Sequence, residues 1–302
     1  MSEAIRTIVA GVGDVDGPDP VLGYAAELAR RVGATLHVVH SYTPPETTMS
    51  LGLAAADVIA GLPPVPLWNI PEETKALHDS ITNRLRGQLV TGPGAAEARV
   101  HVVPGSAQHA VAEVAKDVGA QLVVVGAGHH RGPLGSTTEK TLREVPIPVL
   151  VMRRPLPAHG SRVLLTTDLT EVSRAVTARA LQMVHSLFSG EGFACRCLYV
   201  TAAITGEIPP VDDAELERSA RAELDAFLAT LPGASVEPVV RIGMPPEEII
   251  TQAAEWPADL VVMGTHGRKG VSRLLLGSVA ENVVRHVESD ALVIHTTVPG
   301  EG

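Results

Sequence analysis

Short apolar runs rich in β-branched residues alternate along the chain with longer stretches whose apolar positions recur every three to four residues. The runs TIVAGV, TLHVVH, ARVHVV, LVVVGA and PVLVMR in the first half, and RVLLTT, CRCLYV, VEPVVR, LVVMGT and ALVIHT in the second, predict strands. Between them VLGYAAELARRVG, AQHAVAEVAKDVG, VSRAVTARALQMVHSLF, DAELERSARAELDAFLATL and PPEEIITQAAEW predict helices. Strands apolar on both faces and alternating with helices predict an α/β fold built on parallel, doubly wound sheets, because βαβ crossovers cover both faces. Ligands of such sheets sit beyond the carboxyl ends of the strands.

The chain states this plan twice. RTIVAGVG aligns with SRVLLTTD, placing Gly13 opposite Asp168 at an offset of 155 residues. Gly105 aligns with Gly243 and Gly126 with Gly264, both at 138, and Gly135-Ser136 aligns with Gly277-Ser278 at 142. The first copy therefore carries about 17 extra residues early and lacks four in a later loop. The extra residues fall within 43–71, where six prolines interrupt any helical pattern and read as a surface flap or arm, with Trp68 arguing for packing against something. The copies are expected at 1–154 and 161–302, joined by RRPLPAHGS from Arg153 to Ser161.

A length of 302 residues agrees with two domains of roughly 150 each, and 45% hydrophobic residues suffice for two cores. With 34 acids against 24 bases the formal charge is −10, which excludes a broad basic face for nucleic acid or a polybasic membrane anchor. No apolar stretch approaches the roughly 18 residues of a membrane span, and the amino terminus lacks a secretory pattern, so the expected location is cytoplasmic. Cys195 and Cys197 share one face of a strand without a CxxC or a second ligand cluster, which favours packing over redox or metal chemistry. His129-His130 likewise lacks accompanying carboxylates at ligand spacing.

The strongest local signal is VVMGTHGRKGVSRLLLGSVAENVV. Gly264, Gly267, Gly277 and Ser278 form G-x2-G-x9-G-S between a strand and a helix, so backbone amides and the positive end of the helix dipole face an anion. Arg268, Lys269 and Arg273 add positive charge, which outweighs distant acids over a screening length of about 8 Å. Ser278-x-x-Glu281 also reads as a capping box that would serve the helix without a ligand, and Ser136-x-x-Glu139 repeats it in the first copy. The first copy's loop, GAGHHRGPLGS, is four residues shorter and has His129 at the position of Gly267.

In these residues the chain resembles a tandem universal stress protein, and the resemblance covers nearly all of it. G-x2-G-x9-G-[ST] is that family's ATP-binding signature, matched by Gly264, Gly267, Gly277 and Ser278. The resemblance implies two five-stranded, Rossmann-like domains of the adenine nucleotide alpha hydrolase-like kind, related by a pseudo-twofold axis at which the final strands meet. It implies further that Asp168, ending the first strand of the second copy, lies near adenine and ribose, flanked by Thr166 and Thr167. Val200 and Met263 would line the base pocket, and Val279 would lend its backbone to the phosphates. Gly13 replaces the aspartate in the first copy, so that site is expected to be degenerate, with Asp14 or Asp16 as imperfect substitutes.

The expected function is that of a regulatory module in stress or dormancy responses that binds ATP, with or without Mg2+, in the second copy. No G-x4-G-K-[ST] pattern supplies the lysine and hydroxyl of strong ATPases, so binding is favoured over catalysis. A slow ATPase or phosphotransferase, and an interaction protein with both sites vacant, are the competing readings. AMP and cyclic nucleotides compete with ATP as the ligand. The expected partners are an adenine nucleotide, no nucleic acid and no membrane, with an intrachain pseudo-dimer and a homodimer open to it.

Overall fold

The computed structural model describes residues 4–43, 72–91, 98–128, 134–157, 161–188, 192–201, 212–231, 235–265 and 276–295. The insertion from residue 44 onward, Trp68, His129-His130 and residues 266–275 of the glycine loop lie outside them.

The first copy contains β1 (Thr7–Gly11), α1 (Pro20–Val32), β2 (Thr35–Tyr42), α2 (Glu72–Thr91), β3 (Ala98–Pro104), α3 (Ala107–Asp117), β4 (Leu122–Gly126), α4 (Ser136–Glu144) and β5 (Val149–Met152). The second contains β6 (Ser161–Thr167), α5 (Glu171–Leu187), β7 (Phe193–Thr201), α6 (Asp213–Ala229), β8 (Glu237–Ile242), α7 (Pro245–Glu255), β9 (Leu260–Gly264), α8 (Ser278–His286) and β10 (Asp290–Ile294). All ten expected strands form. Asp212 caps α6 by accepting from Ala214 N at 3.2 Å, so the acidic run DDAELE opens that helix as its charge suggests.

Helix α2 is the element that the apolar pattern does not announce. Its buried Ile81, Leu85 and Leu89 recur every four residues on an otherwise polar helix, a stripe only one residue wide. Gln88 Nε2 donates to Gly17 O at 2.7 Å and Arg84 pairs with Asp16, tying α2 to the loop after β1.

The strands form one ten-stranded sheet in the order β3-β2-β1-β4-β5-β10-β9-β6-β7-β8. Each set of five is parallel, and β5 meets β10 antiparallel with Leu150 opposite Leu292. Strand register reproduces the repeat: Ile8 pairs with Leu122 as Val163 pairs with Leu260. One apolar cluster on each face runs across this seam, so the two copies share cores. Cys195 and Cys197 are free and buried in the first cluster, and burial pushes the Cys195 thiol up to about 12 and raises that of Cys197 as well. Neither offers a thiolate near neutral pH.

A buried polar junction also crosses the seam. Tyr24 Oη in α1 donates to Asp290 Oδ2 at 2.7 Å, and the amides of Arg153 and Arg154 donate to Asp290 Oδ1 at 2.7 and 3.1 Å. Burial raises the Asp290 carboxyl above its ordinary value despite these donors, and burial followed by the Asp290 charge raises Tyr24.

At the other end of the sheet, His37 Nδ1 on β2 lies 2.9 Å from His101 Nε2 on β3. Burial lowers both imidazoles, and in His37 the neighbouring His101 lowers it further. The folded state thus disfavours the charged form of both rings, while an unfolded chain takes up protons below about pH 6.5. Their contribution is present above that pH and is lost as pH falls through the lowered folded values. Urea unfolding midpoints should decline from pH 7.5 to 5.5, and His101→Gln should flatten that decline; identical slopes in the two proteins would rule out the pair as its source.

Candidate functional site

The carboxyl ends of β6, β7 and β9 bring Thr166, Asp168, Val200, Met263 and Gly264 to one edge of the second copy. Alternation along each strand decides which face their side chains take. Leu164, Leu198, Val261 and Met263 belong to the apolar cluster that α7 and α8 cover, and Val200 packs against it. Thr166, two residues beyond Leu164, shares that face and donates Oγ1 to Val262 O at 3.3 Å. Thr167 does not join them: it follows Leu165 to the opposite face, where its Oγ1 lies 3.0 Å from Ser173 Oγ and accepts from Leu169 N at 3.1 Å. Its hydroxyl is engaged in the turn.

Asp168 sits in that turn. Its Oδ1 accepts from Thr170 N at 3.1 Å and from Thr170 Oγ1 at 2.7 Å, while its Oδ2 is buried with no hydrogen-bond partner among the described residues. Leu169 adopts φ 62°, a left-handed conformation that costs a leucine about 1–2 kcal/mol. Local strain of this kind persists where surrounding bonds over-determine a loop. Thr170 then caps α5 by accepting from Ser173 N at 3.2 Å. Sequence reasoning did not single out Leu169, Thr170 or Ser173; a hydroxyl two residues past an aspartate at a strand end was the available signal.

Gly277 N donates to Thr265 O at 2.8 Å, closing the glycine loop at its base and aiming α8 from the strand end. Gly277 itself is the N-cap, in extended conformation, and among the described residues no side chain caps α8. The capping boxes expected at Ser278 and Ser136 are therefore corrected: each serine stands one residue inside its helix, behind the glycines Gly277 and Gly135. Glu281 and Glu139 are engaged with arginines instead. Ser278 and Val279 are exposed at the start of α8. Gly267, Arg268, His266, Lys269 and Arg273 lie outside the described residues.

At the equivalent edge of the first copy the loop after β1 bonds to the start of α1. Gly13 N and Asp14 N both donate to Asp19 Oδ2 at 3.0 Å, and Asp19 Oδ1 caps α1 through Val21 N at 2.7 Å. Asp14 Oδ1 accepts from Asp16 N at 2.8 Å and Asp16 pairs with Arg84, and both residues are exposed, so neither expected substitute presents a buried carboxylate oxygen in the manner of Asp168. Gly11 occupies the place of Thr166, and a Cβ there would lie 3.0 Å from Val111 Cγ2, so the strand end packs closely against α3. Among the described residues no cluster of three or more histidine, cysteine or acidic side chains could hold a metal ion, and no helix is long and apolar enough to cross a membrane.

A model of the universal stress protein family matches residues 4–153 and again 161–295. A universal stress protein of Mycobacterium tuberculosis is 26% identical over 301 residues, covering 95% of each chain. One from Methanocaldococcus jannaschii is 37% identical over 62 residues; the match takes in 20% of this chain and spans only 38% of that protein's length. Among solved structures, a Pseudomonas aeruginosa protein assigned to the same family superimposes with a TM-score of 0.67 at 17% identity, covering 97% of this chain and 94% of that one. That likeness is one of fold.

Proposed function

We propose that this chain, which belongs to the universal stress protein family through both of its halves, is a regulatory module that binds an adenine nucleotide, ATP, in the crevice of its second copy. The observation that carries this reading is the buried Oδ2 of Asp168, which has no partner among the described residues. A buried carboxylate oxygen without a donor is costly, and a ribose hydroxyl or an adenine amino group would satisfy it. Val200 and Met263 offer an apolar wall on the same face for the base. The uncapped amides of α8 stand at the strand edge where phosphates would lie. Gly267 and Arg268 enter on the strength of the motif alone. Any Mg2+ would arrive on the phosphates.

Binding is favoured over turnover because the sequence lacks the lysine and hydroxyl of a phosphate-binding catalytic loop and because this reading assigns Asp168 to the nucleoside rather than to an attacking water. The first copy's loop amides are already bonded to Asp19, which supports a single occupied site.

Mass spectrometry of the small molecules released on denaturing freshly purified protein should find an adenine nucleotide near one per chain. Gly267→Asp should remove it while leaving the far-UV circular dichroism unchanged. A nucleotide retained by that variant, or none in the wild type, sinks the assignment. Hydrolysis at about 1 per second or faster, dependent on Gly277 and Ser278, would move the reading to an enzyme.

A further inference from the structure

Helix α8, whose first amides would meet the phosphates, is held at both ends by the other copy. Near its start, Arg143 of α4 places Nη2 3.0 Å from Glu281 Oε2 and 3.1 Å from Glu139 Oε1. Arg285 of α8 completes a ring of four, 3.0 Å from Glu281 Oε1 and 3.5 Å from Glu139 Oε2. At its end, Arg153, just after β5, donates Nη2 to Val284 O at 2.7 Å and to Arg285 O at 3.3 Å.

The contacts are reciprocal. His295, just after β10, places its ring nitrogens 2.8 Å from Leu142 O and 3.1 Å from Ile147 O, at the end of α4. A spacing of 142 residues relates Arg153 to His295, Val284 to Leu142, and each arginine and glutamate of the ring to its counterpart. The exchange is nevertheless uneven: the helix of the glycine-rich second copy receives a guanidinium, charged at every accessible pH, and the helix of the first copy receives an imidazole.

We infer that the first copy forms part of the nucleotide site of the second: Arg143 and Arg153 position α8 and offset the Glu281 carboxylate against the phosphates. This rests on the nucleotide reading above. A cation at the carboxyl end of a helix stabilises the same dipole whose positive end attracts an anion. Arg153 is half-buried, so solvent screens this contact less than a surface pair. Glu281, one turn inside α8, carries a charge that repels a phosphate at the helix start, and pairing with Arg143 and Arg285 reduces that repulsion. Loss of either first-copy arginine should therefore matter in proportion to the charge of the ligand.

Titration calorimetry of the full chain with ATP, AMP and adenosine tests this. Arg143→Gln and Arg153→Gln should each weaken ATP by about 3- to 10-fold, weaken AMP less, and leave adenosine within about 2-fold. Arg153→Lys, which keeps the charge, should retain ATP affinity. Glu281→Gln placed on Arg143→Gln should restore most of it, because the acid that has lost one of its two arginine partners is then gone. Equal losses for all three ligands would show that the arginines merely support packing, and unchanged ATP affinity would show that they do not act on the site; either result overturns the inference. A wild type that takes up none of the three ligands overturns the nucleotide reading, and this inference with it.

Discussion

Asp290→Ala should destabilise the protein by about 3–5 kcal/mol, measured as a shift in urea unfolding at constant slope. Three donors converge on this carboxylate from two other segments: the Tyr24 hydroxyl and the amides of Arg153 and Arg154. Alanine leaves all three in a buried place without an acceptor, and each orphaned group costs about 1–3 kcal/mol. Part of the loss is returned, because burying the carboxylate is itself unfavourable, as its raised proton affinity shows. Asp290→Asn separates the two effects. Its oxygen can still accept from both amides and its amide can donate to the Tyr24 oxygen, so it should cost about 1 kcal/mol or less.

The pH dependence has a definite sign. Because the folded-state carboxyl is raised, its contribution is fully present below the ordinary value of about 3.9 and is lost as pH rises through the folded value. Asp290→Asn should remove that loss. If Asp290→Ala unfolds at the wild-type urea concentration, the junction does not hold the two copies together.

Asp168→Asn should weaken adenine nucleotide binding by about 10- to 100-fold, as expected for loss of a hydrogen bond to a charged acceptor. The substitution can keep Oδ1 as the acceptor for Thr170 N and Oγ1, so the turn survives. What changes is the unpartnered position, where an amide donor would then face the donors of the nucleoside. Thr167 and Thr170 also hold the turn through Leu169 N and Ser173 N, which confines the effect to the site. The loss should be as large for adenosine as for ATP, since the contact lies at the nucleoside end. In that respect it differs from the loss expected at Arg143 and Arg153. Wild-type affinity in Asp168→Asn would remove the carboxylate from the site.

Ten strands and the offset between the copies were legible because alternation, β-branching and glycine placement are local signals that survive without knowledge of neighbours. The register shows how far this reaches, since Ile8 to Leu122 and Val163 to Leu260 confirm an alignment made on residues alone. Helix α2 escaped because three leucine-type residues at a spacing of four are too narrow a stripe among polar residues. Ser278 and Ser136 misled because a capping box and a glycine N-cap one residue earlier differ by a shift that spacing cannot resolve.

The sequence by itself determined the α/β class, the duplication and the difference between an aspartate with a long glycine loop in one copy and a bare glycine with a short loop in the other. Only the tertiary structure decided that Leu150 stands opposite Leu292 where β5 meets β10, that Tyr24 and Asp290 meet across 266 residues, that Arg143 answers Glu281, and that one oxygen of Asp168 is left without a donor among the described residues. Periodicity specifies which face of an element is apolar. A charged or hydroxyl side chain carries no mark of its partner, so polar pairing is settled only when the packed elements bring particular atoms within reach.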